Sequence, residues 1–103
     1  MTATTRVVRY RTRPECADDN ARLVEAVMDE LAAAGTEGIR YTVLRLDDGV
    51  SFVHVAVIDG PDNPLEASPS FAAFQSGLGG RLEEGPFPAT ATVVGSHGGA
   101  IGG

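Results

Sequence analysis

Two apolar runs separated by an Asp-Gly pair place the strongest local constraint on this chain. Residues 39–46 read IRYTVLRL and residues 50–58 read VSFVHVAVI, with Asp48 and Gly49 between them. An Asp-Gly pair between alternating apolar residues is the strongest short-range signal for a β-hairpin with a two-residue loop. The sequence therefore predicts an antiparallel strand pair whose register is fixed by this loop.

The register assigns each hairpin side chain to one of two faces, because directly paired residues lie on the same side of a sheet. The first face carries Arg40, Thr42, Leu44, Leu46, Ser51, Val53, Val55 and Val57. The second carries Ile39, Tyr41, Val43, Arg45, Phe52, His54, Ala56 and Ile58. We expect the aliphatic first face to pack under helices. The mixed second face is too apolar for water, and we expect a second copy of the chain to cover it.

The remaining segments complete a pattern of alternating strands and helices. Residues 5–13 alternate as a strand, and residues 89–95 form a last strand after a break at 85–88. Asp18 or Asp19 is predicted to cap a helix that runs to about residue 34 and stops at Gly35. A second helix starts with Ser68 as cap and Pro69 at its first position, and its apolar stripe is Phe71, Phe74, Leu78 and Leu82.

The order βαββαβ predicts an α+β, ferredoxin-like fold. The right-handed crossover rule gives an antiparallel sheet of order 4-1-3-2 with both helices on one face. We assign residues 1–96 to a single domain and residues 97–103 to a flexible, glycine-rich tail.

Composition excludes several classes of function. The net charge of −6 argues against nucleic acid as a partner, because phosphate binding needs a basic surface. All eight basic residues are arginines, so Schiff-base chemistry on a lysine is excluded. One cysteine and two histidines make a structural metal site improbable. No apolar run approaches the roughly 20 residues of a membrane span, and we expect a soluble cytoplasmic protein.

The first predicted strand carries arginines that we expect to lie on the open face of the sheet. If Val8 and Tyr10 pack under the helices, Arg9 and Arg11 lie on the open face, where we expect them beside His54. A space between two such sheets would hold arginines, a histidine and a tyrosine in apolar surroundings. That combination favours a small organic ligand that is anionic or rich in oxygen.

Three segments resemble the antibiotic biosynthesis monooxygenase group of dimeric α/β-barrel proteins. They read YRTRPECADDNARLVEAV, DDGVSFVHVAVID and NPLEASPSFAAFQ. The resemblance implies that two ferredoxin-like subunits pack sheet to sheet into a barrel. It also implies oxidation of aromatic, polyketide-like compounds without a cofactor. Haem-degrading relatives and quinone-forming members use a tryptophan in the pocket; this chain has none, which argues against haem degradation.

The candidate site residues follow from these expectations. His54 is the predicted general base, with Tyr41 and an arginine stabilising an oxyanion. The predicted substrate-binding residues are Arg9, Arg11, Arg45 and Phe52. The alternatives are a buried, hydrogen-bonded histidine, a satisfied sheet tyrosine and arginines in ion pairs. Two functions remain open: a cofactor-independent monooxygenase for small aromatic or polyketide-like compounds, and a non-catalytic dimeric protein that binds a ligand or a partner.

Overall fold

Four antiparallel strands and two helices make up the computed structural model, which describes residues 3–98. The strands are β1 (Ala3–Thr12), β2 (Ile39–Arg45), β3 (Ser51–Asp59) and β4 (Leu82–Ala91). The helices are α1 (Ala17–Ala34) and α2 (Pro69–Arg81), and 3₁₀ turns precede them at Pro14–Cys16 and Pro64–Ala67. The sheet order is β2-β3-β1-β4, so the predicted ferredoxin-like fold with order 4-1-3-2 is confirmed.

The hairpin has the predicted register but a longer loop. Val43 pairs with His54 and Leu44 with Val53, as predicted. Regular pairing ends at Arg45, and the Asp48 carboxylate accepts hydrogen bonds from the backbone N–H groups of Val50 and Ser51. The loop is longer at both ends by equal amounts, and the register is therefore unchanged.

The predicted assignment of the two hairpin faces is wrong, whereas Val8 and Tyr10 of β1 do pack under the helices as expected. Val8 on β1 pairs with His54 on β3, and Tyr10 pairs with Phe52, so these four side chains share one face. That face packs under both helices, where Tyr10 and Phe52 join Phe74 in the core. The aromatic side chains supply the volume that fills the space beneath the helices. Arg9 and Arg11 lie on the opposite, open face, so the predicted cluster of these arginines with His54 is also wrong.

The helix boundaries agree with the sequence except at the N-cap of α1 and the end of α2. Leu82, predicted on the apolar stripe of the second helix, is instead the first residue of β4. Cys16 occupies the N-cap of α1 and makes no side-chain cap bond, while Asp18 and Asp19 lie within the first turn. Gly35 ends α1 in the left-handed conformation at φ 60°, as predicted. Ser68 caps α2 as predicted, because its side chain accepts a hydrogen bond from the Phe71 N–H.

The last strand begins earlier than the sequence indicated. β4 follows α2 directly at Leu82 and runs through the Gly-Pro-Phe-Pro segment that predicted a chain break. Prolines are tolerated here because β4 is an edge strand, with β1 as its neighbour in the sheet. Residues 92–95 are not a strand, so the predicted end at residue 95 is wrong. Most of the predicted tail, residues 99–103, lies outside the described residues.

Candidate functional site

A cavity of about 350 Å³ lies between the helix-covered face of the sheet and α2. Its wall is largely apolar and includes Ala56, Ile58, Leu65, Phe71, Phe74 and Leu78. Tyr41 and His54 contribute polar groups to the same wall. The volume lies within the range of small-molecule sites, and a largely apolar wall with a few polar groups is their usual composition.

His54 is held between two tyrosines. Its Nε2 lies 2.7 Å from the Tyr10 hydroxyl oxygen, and its Nδ1 lies 2.6 Å from the Tyr41 hydroxyl oxygen. β1, β2 and β3 place these three side chains together, because Val8 and Val43 are the direct strand partners of His54. The sequence register therefore placed Tyr41 and His54 on one face, whereas Tyr10 reaches His54 through the pairing of β1 with β3.

The hydrogen bonds continue from Tyr10 to the end of α2. The Asn20 side-chain amide donates to the Tyr10 hydroxyl oxygen at 2.8 Å, and Arg81 Nε donates to Asn20 Oδ1 at 3.0 Å. Arg81 also donates from Nη2 to the Phe74 carbonyl oxygen at 2.9 Å. Five side chains thus form one continuous series of hydrogen bonds, the hydrogen-bond chain, which ends at the cavity: Arg81, Asn20, Tyr10, His54 and Tyr41.

Burial determines the protonation states in this chain. His54 is 7% exposed, and the cost of burying its charge lowers its pKa from 6.5 to about 4. Burial also raises the pKa of the Tyr10 hydroxyl to about 12 and the pKa of Tyr41 well above its ordinary value. At neutral pH the histidine is therefore neutral and both tyrosines keep their protons.

The other predicted site residues lie away from this cavity. Arg11 forms an ion pair with Glu84 at 3.1 Å, and the Arg9 guanidinium lies 4.9 Å from the centre of the Phe87 ring. Arg45 bonds to the hairpin backbone and to Asp18. Phe52 stacks on Tyr10 within the core. Arg9, Arg11 and Phe52 do meet at a second, smaller cavity of about 160 Å³.

Two side chains of this hydrogen-bonded series carried signals that sequence reasoning missed. Asn20 is fully buried and lies three and four residues before Leu23 and Val24, on the apolar stripe of α1. Arg81 likewise follows Leu78 by three residues on α2. A polar side chain on a buried helical stripe needs a partner, and that need is the signal. Arg6, at the wall of the cavity, was missed as well.

The described residues offer neither a cluster of metal ligands nor a helix that could span a membrane. Within 3–98, no three His, Cys, Asp or Glu side chains come together as a set that could hold a metal ion. No helix in that range is long and apolar enough to cross a membrane.

Solved structures of other proteins share the fold of this chain. No family model and no curated protein sequence matches the chain. Among solved structures, SnoaB, a cofactor-independent oxygenase from Streptomyces nogalater, aligns with TM-score 0.69 and 19% identity over 96% of this chain and all of its own. Rv0793 from Mycobacterium tuberculosis aligns with TM-score 0.70 and 16% identity over 92% of this chain and 98% of its own.

A structure described as an antibiotic biosynthesis monooxygenase aligns with TM-score 0.65 and 13% identity, over 89% of this chain and 99% of its own. Identities this low show a shared fold alone. The resemblance read from the sequence is thereby confirmed at the level of architecture: the chain has the ferredoxin-like fold of the antibiotic biosynthesis monooxygenase-like structures.

Proposed function

We propose that this protein binds a small aromatic or polyketide-like compound in the 350 Å³ cavity and oxygenates it without a cofactor. The observation that carries the proposal is the Tyr41–His54 pair, which places a hydroxyl group at the wall of a largely apolar cavity. An apolar wall suits the rings of such a compound, and the hydroxyl suits one of its oxygens. The fold shared with the cofactor-independent oxygenase SnoaB supports the same reaction class.

The reaction we propose uses the substrate as the reductant of dioxygen. A substrate methylene group next to a phenol or enol gives up two C–H bonds. One oxygen atom becomes the new carbonyl, and the other leaves as water. The substrate anion is the species that donates electrons to oxygen. A hydroxyl donor at its oxygen stabilises this anion in a site that excludes water.

The geometry assigns different roles to the two predicted catalytic residues. Each ring nitrogen of His54 already has a tyrosine hydroxyl as its partner, so a ligand oxygen meets His54 only through Tyr41. We therefore propose that Tyr41 contacts the ligand oxygen and that His54 holds Tyr41 in place. Arg6 and Glu66, also at the wall, place one positive and one negative side chain at the cavity, so the wall favours neither sign of ligand charge.

The second candidate is a ligand-binding protein without turnover. The same observation favours it, because a histidine with both ring nitrogens engaged has no lone pair left to take a proton directly from a ligand. Oxygen uptake separates the two functions. With anthrone as the probe, the enzyme accelerates oxygen consumption above the rate in buffer; binding of anthrone without added consumption supports the second function.

Filling the cavity should abolish ligand binding. Ala56 is buried at the cavity wall, and Ala56→Leu adds three carbon atoms there. We expect the rise in melting temperature caused by α-tetralone, a bicyclic aromatic ketone, to disappear in this variant. Ala73→Leu adds the same atoms to an exposed position of α2 and should keep the full rise. If Ala56→Leu binds tetralone as the wild type does, the ligand occupies another site.

We further propose that a second copy of the chain covers the open face of the sheet. Val7, Val53 and Val55 lie on this face, and Leu44 and Phe87 are 41% and 44% exposed there. An apolar surface of this kind on a sheet favours a two-fold homodimer. The pairing would form the α/β barrel that the sequence resemblance implies.

A charge on the open face should separate the two subunits. Val55→Asp would bury a carboxylate in the proposed interface, and we expect the dimer dissociation constant to rise by at least 100-fold. Light scattering at micromolar concentration should then give the mass of one chain for this variant and of two for the wild type. Ala26→Asp, on the exposed side of α1, is the matched control and should remain dimeric. A wild-type protein with the mass of one chain contradicts the proposal.

A further inference from the structure

Each hydrogen bond in this series has a defined donor and acceptor, beginning at Arg81. We call this order of donors and acceptors the direction of the hydrogen-bond chain. Arginine has only N–H donors, so Asn20 must accept with Oδ1 from Arg81 and present its NH₂ group to Tyr10. Arg81 is itself fixed by its bond to the Phe74 carbonyl oxygen and by its guanidinium, which lies 5.2 Å from the centre of the Phe74 ring. The orientation of the Asn20 amide therefore follows from donor chemistry.

The direction passes through Tyr10 to His54. An NH₂ group only donates, so the Tyr10 oxygen accepts from Asn20 and its own proton must go elsewhere. Within residues 3–98, the remaining partner of this hydroxyl is His54 Nε2 at 2.7 Å. Tyr10 is 3% exposed, and a hydroxyl proton without an acceptor would be an unsatisfied buried donor. Nε2 is therefore the acceptor.

The tautomer of His54 follows. A neutral imidazole carries one proton, and with Nε2 as acceptor that proton is on Nδ1. Nδ1 then donates to the Tyr41 oxygen at 2.6 Å. In the described part of the chain, the hydrogen bonds of the Tyr41 hydroxyl go to His54 alone, which leaves its own proton for the cavity.

We propose that Asn20 and Arg81 are positioning residues that fix His54 with its proton on Nδ1 and so make Tyr41 a hydrogen-bond donor to a ligand oxygen. The ligand class is set by this direction: a carbonyl, enolate or phenolate oxygen that accepts. Only this consequence for the ligand rests on the proposed function, since the direction of the chain belongs to the protein without ligand.

The structure of α2 makes room for the first member of the chain. A Cβ atom at residue 77 would lie 2.7 Å from Arg81 Nη1, so Gly77 provides the space that the guanidinium occupies. A glycine inside a helix costs roughly 1 kcal/mol relative to alanine. The space that the Arg81 guanidinium needs accounts for a glycine at this position.

Long-range ¹H–¹⁵N spectra of the histidine rings test the direction, because they distinguish a protonated ring nitrogen from an unprotonated one. In the wild-type protein without ligand we expect His54 with its proton on Nδ1. His97, which is exposed, serves as the internal reference. A proton on Nε2 of His54 would overturn the proposal without any variant.

Asn20→Asp is designed to reverse the chain with almost no change in shape. A carboxylate beside Arg81 only accepts, so Tyr10 would donate to it and accept from Nε2. The His54 proton should then move to Nε2, with Nδ1 accepting from Tyr41. If the His54 proton stays on Nδ1 in a folded Asn20→Asp protein, Asn20 does not set the direction and the proposal is wrong.

The ligand consequence is measured with a matched pair of probes. α-Tetralone carries a carbonyl oxygen, and tetralin has the same rings without it. The preference of the wild type for tetralone should fall about tenfold in Asn20→Asp, with tetralin binding unchanged. An unchanged preference would overturn the donor role of Tyr41. If His54 shows both expected tautomers and neither probe binds, the direction stands and the proposed function fails.

Discussion

Acidification from pH 7 to pH 4 is expected to lower the free energy of unfolding by about 3 kcal/mol through His54 alone. In the folded protein, burial lowers the pKa of this imidazole from 6.5 to about 4. The unfolded chain therefore binds a proton at a pH where the folded chain does not. Stability is complete above about pH 6.5 and is lost as the pH falls towards 4.

The measurement is urea denaturation across this pH range at one protein concentration. His54→Gln should remove most of the pH dependence between 6.5 and 4, since glutamine does not titrate. His97→Gln is the matched control and should keep the wild-type slope, because His97 is exposed. Asp48 and Glu30 have lowered pKa values from hydrogen bonds to Ser51 and Ser68, which adds acid sensitivity, but both remain in each variant. Equal slopes in the two variants would show that His54 is not buried in its neutral form.

The fold was largely predictable because local signals agreed with one another. The Asp48-Gly49 loop fixed the register of β2 on β3, and Gly35 and Ser68 marked helix ends. β4 was not predictable to the same degree. Its prolines indicate a break in a central strand, and only its position at the edge of the sheet makes them compatible with pairing.

The faces of the sheet could not be assigned from alternation, because both carry apolar residues. The period of two separates Val53 from His54 but does not say which of them meets the helices. That choice depends on volume: Tyr10, Phe52 and Phe74 fill the space under α1 and α2, and His54 is buried with them. The pairing of β1 with β3 determines which face meets the helices, and it joins residues 40 to 56 positions apart.

In the candidate site, too, contacts between residues close in sequence were predictable and contacts between distant residues were not. His54 and Tyr41 were predicted together because they are neighbours in one hairpin. Their hydrogen bond to the rest of the molecule runs through Tyr10 and Asn20 to Arg81, which is 61 positions from Asn20. No local pattern specifies that contact, although the polar position of Asn20 on an apolar stripe points to a buried partner.

Removing the hydroxyl of Tyr10 should mainly lower stability, and removing that of Tyr41 should mainly lower ligand affinity. Tyr10→Phe leaves the Asn20 amide and His54 Nε2 without their partner, both in the buried interior. An unsatisfied buried polar group costs roughly 1–3 kcal/mol, so we expect a loss of about 2–4 kcal/mol in the free energy of unfolding. Urea denaturation at pH 7 measures this loss.

Tyr41→Phe should instead cost little stability and much affinity. His54 Nδ1 loses one partner at the wall of a cavity, where water can replace the missing hydroxyl, so we expect a loss of about 1 kcal/mol. The affinity for α-tetralone should fall about tenfold, while tetralin should bind as before. Calorimetric titration of both probes gives the comparison.

The pair of variants distinguishes a binding site from a structural network. A network that only holds the core together would lose stability at either tyrosine and show no selective change towards tetralone. A site that presents a donor to a ligand loses stability mainly at Tyr10, inside the chain, and loses ligand selectivity at Tyr41, where the chain meets the cavity. Equal losses of stability with unchanged tetralone binding would mean that Tyr41 belongs to the core and that the cavity has no polar anchor at this position.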